Sequence, residues 1–198
     1  MTDDFFYTIG RSSEGIYKEK GSKFLAFAFS VGSEEEIKPI LADFKKKYYD
    51  ARHICYAYQL GIKKDQWKVN DDGEPAHTAG DPILHEIKSR GLTDTIVIVV
   101  RYFGGTKLGK SGLISAYRDA AADALNNTEI IEKIVKLEFE VEFPYDHTSE
   151  VMNQLNILEA EIVSQDYTST CRLKAAVRKG RLEEARKKLE RYFVSSKS

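Results

Sequence analysis

The residues best suited to chemistry fall in the middle of the chain. Gly104-Gly105-Thr106-Lys107-Leu108-Gly109-Lys110-Ser111 matches the phosphate-loop pattern G-x-x-x-x-G-K-[ST]. In a nucleotide hydrolase such glycines let backbone N–H groups face the phosphates, the lysine reaches the outer phosphates, and the hydroxyl holds magnesium. From Arg101 to Arg118 the chain carries Arg101, Lys107, Lys110 and Arg118 and no acid. A glycine-rich turn leading into a helix N-terminus favours an anion by dipole and free N–H groups, whatever the fold. Upstream, Asp71, Asp72, Glu74 and His77 lie close together. They are either an oxygen-rich metal site or a turn whose Asp and Gly residues satisfy the backbone. His53 and Cys55, two apart on one strand face, are close enough for a thiolate–imidazole pair, although a lone Cys on an interior strand is usually a small core residue.

The elements that must hold these residues follow from the surrounding pattern. Residues 12–31 read as two strands joined by a turn at Lys20-Gly21-Ser22, the second apolar nearly throughout, as in a strand covered on both faces. Ser33 with Glu36 is a capping box for a helix to about Tyr49, with Ile37, Ile40, Leu41, Phe44 and Tyr48 as its apolar stripe. Residues 52–60 form the next strand, with Ile54, Tyr56, Tyr58 and Leu60 on one face and His53, Cys55, Ala57 and Gln59 on the other. A turn at 70–75, a helix over 79–90, a strand over 95–102 and an alanine-rich helix over 111–126 complete this part. Tyr48, Tyr49 and Trp67 are expected to be packing residues.

Near Glu129 the pattern changes. Val135, Leu137, Phe139, Val141 and Phe143 alternate with charged residues, the mark of a half-buried strand. A helix capped by Asp146, strands over 160–167 and 169–177, and a helix over 181–193 follow. This β-α-β-β-α order is that of a ferredoxin-like sandwich with its final strand short or missing. The fold class is α+β, with domains at 1–130 and 131–198.

Composition narrows the function classes. The chain has 198 residues, 42% hydrophobic and 31% charged, with a formal net charge of -1. A global positive field for gripping nucleic acid is absent, so any such contact is local, and no DNA partner is expected. Two distant cysteines make no zinc spacing. No apolar run approaches the ~20 residues of a membrane span, and the start lacks a signal-peptide layout. A cytoplasmic location follows. The strands after residue 131 carry glutamates on one and Arg172, Lys174 and Arg178 on another, without the aromatics by which an RNA-recognition motif stacks bases. A P-loop NTPase is set aside, because no second apolar strand ends in an acidic magnesium ligand and there is no room for several βαβ units.

Four ordered blocks carry a family resemblance. They are Gly21-Ser22-Lys23-Phe24; Ala51-Arg52-His53-x-Cys55-x-Ala57-Tyr58; Asp71-Asp72-Gly73-Glu74-Pro75 with Thr78-Ala79-Gly80-Asp81-Pro82-Ile83-Leu84; and Arg101-Tyr102-Phe103-Gly104-Gly105 with Leu108-Gly109, Gly112-Leu113 and Ala116-Tyr117. Together they resemble the YigZ/IMPACT family over about residues 10–128. The resemblance implies an N-terminal domain like domain 2 of ribosomal protein S5 and a C-terminal domain like the last domain of elongation factor G. Both of those relatives work on the ribosome, and eukaryotic family members regulate translation. Lys110 and Ser111, which complete the phosphate-loop pattern, stand where the bacterial pattern has a small residue and glycine, and His77 replaces a small residue.

The expected function is therefore binding linked to translation or its regulation, with RNA, the ribosome or a translation-associated protein as partner. The expected surface joins Asp71, Asp72, Glu74 and Thr78 of the 71–80 loop to Arg101, Tyr102, Gly104, Gly105, Lys107 and Gly109 of the 101–112 turn. The turn would take an anion or phosphate group. His53, Cys55, His77, Lys110 and Tyr117 are secondary candidates, and neither a metal nor a cofactor is expected. The alternative is an enzyme acting on a small phosphorylated or amide substrate in the same cleft, which requires a pocket joining His53/Cys55 or the acidic loop to the basic turn.

Overall fold

A computed structural model describes residues 4–167 and 170–196. The chain divides into an N-terminal unit, Tyr7–Lys133, and a C-terminal unit from Ile134 onward that also takes in the residues through Phe6. The division thus falls three residues beyond the sequence boundary at 130, and residues 4–6 group with the C-terminal unit.

Elements run in the order β1 (Phe5–Ile9), β2 (Ser13–Glu19), β3 (Ser22–Ser30), α1 (Glu34–Lys47), β4 (His53–Leu60) and β5 (Gln66–Asn70). Then come α2 (Gly80–Ser89), β6 (Thr95–Tyr102), α3 (Gly109–Asn126) and β7 (Ile130–Ile134). The main sheet has the order β2-β3-β6-β4-β5, and every pairing in it is antiparallel. β1 pairs with β7 as a separate two-stranded ribbon.

Helices cover both faces of the main sheet. On one face Phe24, Ala26, Cys55, Ala57, Val97 and Val99 pack with α2 and α3. On the other, Phe27, Tyr58, Leu60, Ile96, Ile98 and Val100 pack with Ile37 and Phe44 of α1. β6 is therefore buried along nearly its whole length, which explains its unbroken β-branched run. Burying one such side chain is worth about 1.5–3 kcal/mol relative to leaving it exposed. Ser33 caps α1 by accepting from the Glu36 amide at 3.4 Å, while the Glu36 carboxylate accepts from the Gly32 amide at 2.9 Å.

The alanines of α3 allow close approach. Ala116, Ala120, Ala121 and Ala124 are fully buried, and a Cβ on Gly15 of β2 would stand 2.3 Å from the Ala124 nitrogen. Edge strand β2 is tied down there: Ser13 Oγ donates to the Ala124 carbonyl at 2.7 Å and the Ile16 amide to Asp123 Oδ2 at 2.8 Å. This contact fixes the C-terminal end of α3 against the sheet.

In the C-terminal unit β8 (Lys136–Phe143), α4 (Thr148–Ile157), β9 (Glu161–Tyr167), β10 (Cys171–Arg178), α5 (Leu182–Lys188) and β11 (Phe193–Ser196) follow in turn. The sheet order is β11-β8-β10-β9, again antiparallel. Phe139, Val141, Phe143, Leu173 and Val177 bury one face against Val151 and Leu155 of α4 and Ala185 of α5. On the other face Arg172 meets Glu142 at 2.8 Å and Lys174 meets Glu138 at 3.0 Å. Cations and acids on neighbouring strands thus offset one another, and among the described residues no basic stripe forms there.

Several expectations need correction. β1, β5 and β7 were not expected; β5 is an exposed edge strand whose Gln66, Trp67 and Lys68 give no apolar alternation. α3 starts at Gly109 rather than Ser111. Asp146 does not cap α4: it lies in a 3-10 turn, Tyr145–His147, and no side chain caps that helix. The last helix ends at Lys188, and the chain turns into the four-residue strand β11. Ser169, the expected start of a strand, lies outside the described residues; β10 begins at Cys171. Tyr48 packs on Phe27 and Phe44, but Tyr49 is exposed and Trp67 is half exposed with Lys88 Nζ 4.5 Å above its ring. Among the described residues no helix is long and apolar enough to cross a membrane.

Candidate functional site

The register of two neighbouring strands starts the site. His53 of β4 stands opposite Arg101 of β6, and both side chains point into one cleft. Loop 71–79 then folds back over the beginning of β4. Asp72 Oδ2 accepts from the Ile54 amide at 2.6 Å, and its carbonyl lies 2.7 Å from His53 Nδ1. That carbonyl fixes the imidazole with its proton on Nδ1, leaving Nε2 on the other side of the ring.

Asp71 serves α2. Its Oδ1 accepts from the amides of Ala79 at 3.0 Å and Gly80 at 2.8 Å, and Oδ2 accepts from the His77 amide at 3.0 Å. The N-cap residue Ala79 has no side chain able to do this, so a carboxylate eight residues upstream does. Thr78 is buried and donates its hydroxyl to the Pro75 carbonyl at 2.6 Å. His77 is exposed and pairs with Asp81 at 2.6 Å. The acids of this loop thus do separate backbone tasks. Among the described residues no cluster of His, Cys, Asp or Glu suited to a metal ion is present.

Glu74 is the exception. Its buried carboxylate accepts from Arg101 Nη1 at 2.5 Å and from the Tyr117 hydroxyl at 2.8 Å, with His53 Nε2 at 3.8 Å. Arg101 is itself buried, with the rings of Phe24 and Phe103 at 5.4 and 5.7 Å from its guanidinium carbon. Its Nε is buried with no hydrogen-bond partner among the described residues. Tyr117 lies behind this pair, edge-on to Phe24 at 5.1 Å. Burial pushes the Tyr117 hydroxyl well above the ordinary tyrosine range, with Cys55 and Glu74 adding to it.

The Cys55 thiol sits 3.1 Å from the Asp71 carbonyl and 3.3 Å from the Tyr117 oxygen, fully buried. Burial pushes it far above the usual thiol range. The histidine ring faces the Asp72 carbonyl instead of this sulfur, so of the two readings of Cys55 the surroundings fit the small core residue. In native protein at pH 8, Cys55 is expected to resist iodoacetamide and to be alkylated fully in denaturant, as read by mass spectrometry. Rapid labelling of the native state would overturn this assignment.

The other wall is the turn 103–109 and the start of α3. The exposed cations Arg52, Lys107 and Lys110 line the cleft with Arg101, and Pro75, Phe103, Leu108 and Leu113 supply its apolar surface. The cavity measures about 570 Å³. Gly109 opens α3 with φ 73°, and no side chain caps that N-terminus. Tyr102 is not part of the cleft: it lies on the opposite face of β6, packed with the α1 core and donating to Asp50 at 3.0 Å. Gly104 and Gly105 shape the turn without lining the cavity.

The structure therefore brings Glu74, Arg101, Lys107 and Gly109 together with His53 and Lys110. It leaves Asp71, Asp72, Thr78 and His77 in the supporting loop, and Cys55 and Tyr117 behind the wall. Arg52 and Leu113 line the cleft from outside the expected 71–80 loop and 101–112 turn, while Pro75, Phe103 and Leu108 lie within those segments but are not singled out by sequence. Arg52 and Phe103 flank the β4–β6 pair, so the strand register is the signal that exposes them. The phosphate-loop pattern does sit between a strand and a helix, but β6 is antiparallel to both neighbours, unlike the parallel sheet of nucleotide hydrolases.

A family model described as the Impact N-terminal domain matches residues 20–125, a span that contains every cleft residue. The chain is 35% identical over 76% of its length, and 69% of the relative's, to IMPACT family member YvyE of Bacillus subtilis. It is 30% identical to IMPACT family member YigZ of Escherichia coli, covering 86% of this chain and 84% of that one. A crystal structure of a hypothetical protein superposes over 95% of this chain and 92% of its own with TM-score 0.74 at 27% identity.

Proposed function

Because the chain belongs to the IMPACT family, we propose that it is a cytoplasmic binding protein linked to translation or its regulation. It contacts RNA, the ribosome or a translation-associated protein through the cleft between loop 71–79 and the turn after β6. One observation carries this reading: four cations, Arg52, Arg101, Lys107 and Lys110, face a single carboxylate, Glu74, that Arg101 already engages. The three remaining cations suit a phosphate group. The β-α-β-β-α-β order of the C-terminal unit, with its sheet order β11-β8-β10-β9, supports reading it as ferredoxin-like, like the last domain of elongation factor G. We read the N-terminal sheet with its helices as like domain 2 of ribosomal protein S5.

The test is co-sedimentation with ribosomes and with total RNA. Association is expected to fall steeply between about 50 and 200 mM salt. Arg52→Ala with Lys107→Ala is expected to weaken it for all sequences and to reduce the salt slope by about two. These exposed positions serve the test better than Arg101, whose loss would also disturb the fold. Absence of any salt-sensitive association would sink the reading.

A second reading, an enzyme acting on a small phosphorylated or amide substrate in the same cleft, has one observation in its favour. His53 is oriented by a backbone carbonyl and reaches the cleft, the arrangement a general base requires. Turnover on a panel of phosphoesters and amides, abolished by His53→Gln, would establish it.

A further inference from the structure

Resting on that binding function, we infer that the cleft takes a phosphate monoester carried on a nucleotide, either free or as the phosphorylated end of an RNA strand. Among the described residues Arg52, Lys107 and Lys110 have no ion-pair partner, although all three line one cavity. A terminal phosphate carries about −1.5 to −2 charges at pH 7, whereas a phosphate inside a strand carries one. Three uncompensated cations match the terminal group better.

The backbone adds to them. The 18-residue helix α3 has no side-chain cap and no acid in its first turn, so its leading N–H groups are available to an anion. At Gly109 nothing lies within 4 Å of where a Cβ would stand, which leaves the backbone open to a ligand. In the same cleft, Arg101 is 5% exposed and its Nε lacks a partner among the described residues. Buried donors are nearly always satisfied, so this one marks the Arg101 guanidinium as incompletely paired even with Glu74 engaged.

The rest of the cavity selects what the phosphate is attached to. Phe103 is 49% exposed beside Leu108 and Leu113, a flat apolar surface on which a base can stack. The volume of about 570 Å³ lies in the range that encloses one small organic ligand. Lys110, which completes the phosphate-loop pattern by sequence, thus contributes to an anion site on an antiparallel sheet, unlike the parallel sheet of nucleotide hydrolases.

The test uses fluorescence anisotropy on the full chain with a short single-stranded RNA bearing a phosphate at its 5′ end, at its 3′ end, or at neither. A phosphorylated end is expected to tighten binding at least about tenfold. Lys107→Ala with Lys110→Ala should erase that gain, while Lys38→Ala with Lys46→Ala, equal in charge but on α1, should keep it. Displacement of the RNA by 5′-AMP identifies a free nucleotide as sufficient; a strand end that AMP does not displace identifies RNA as the source. Binding of AMP with no binding of any RNA supports this inference and removes the RNA contact from the proposed function. Equal, salt-sensitive binding of all three RNAs overturns the inference and leaves the proposed function standing. No binding of RNA or AMP overturns this inference, while the ribosome experiment decides the proposed function separately.

Discussion

Arg101→Ala is expected to destabilise the N-terminal unit by about 3–5 kcal/mol, the cost of breaking a buried ion pair by removing one partner. The side chains of Arg101 and Glu74 are 6% and 3% exposed, and Glu74 would keep only the Tyr117 hydroxyl as a close donor. A carboxylate left in that position has lost its cation. Glu74→Gln with Arg101→Met should recover most of the loss, because removing both ends of a buried pair is often close to neutral. Guanidinium unfolding followed by circular dichroism measures both. A loss below about 1 kcal/mol for Arg101→Ala would mean the pair is solvated in solution.

Gly104→Ala is expected to cost about 3 kcal/mol or more, at the upper end of what overpacking does. Its Cβ would stand 1.9 Å from the Gly21 carbonyl carbon and 2.1 Å from the Ser22 nitrogen. Both are backbone atoms, so no side chain can rotate away, and the turn must part from the β2–β3 hairpin. The bond from the Gly104 amide to Ser22 Oγ, 3.2 Å, would be lost with it. Gly105→Ala provides the contrast. Nothing stands within 4 Å of a Cβ there, and only its φ of 87° opposes the change, a cost of about 1–2 kcal/mol. Equal destabilisation by the two substitutions would show that the close approach to Gly21 does not hold the turn. Because Gly104 anchors the turn that carries Lys107, its substitution should also weaken the anion binding proposed for the cleft.

Local pattern made much of the fold legible. The strand over 95–102 coincides with β6, the faces of β4 divide as the alternation of residues 53–60 requires, and Ser33 caps α1. Each of these depends on residues within a few positions of one another. β5 escaped because an exposed edge strand needs no apolar alternation, and β1 and β7 because each finds its partner more than a hundred residues away. Asp146 looked like a cap, but the chain enters α4 through a 3-10 turn instead.

The cleft was only partly legible, and Asp71 and Glu74 show why. Three positions apart in one acidic loop, they are alike in sequence. One carboxylate caps α2 through backbone amides, and the other is buried against Arg101 from a strand that begins some twenty residues later. Tyr102 and Arg101 are adjacent in the basic block, yet a strand sends them to opposite faces. Sequence alone determined the elements, the glycine turn before α3 and the family blocks, because capping, periodicity and turn preference act over short spans. Only the tertiary structure decided which charges were offset and which were left facing the cleft. That depends on the register of β4 against β6 and on burial, both set by residues far apart along the chain.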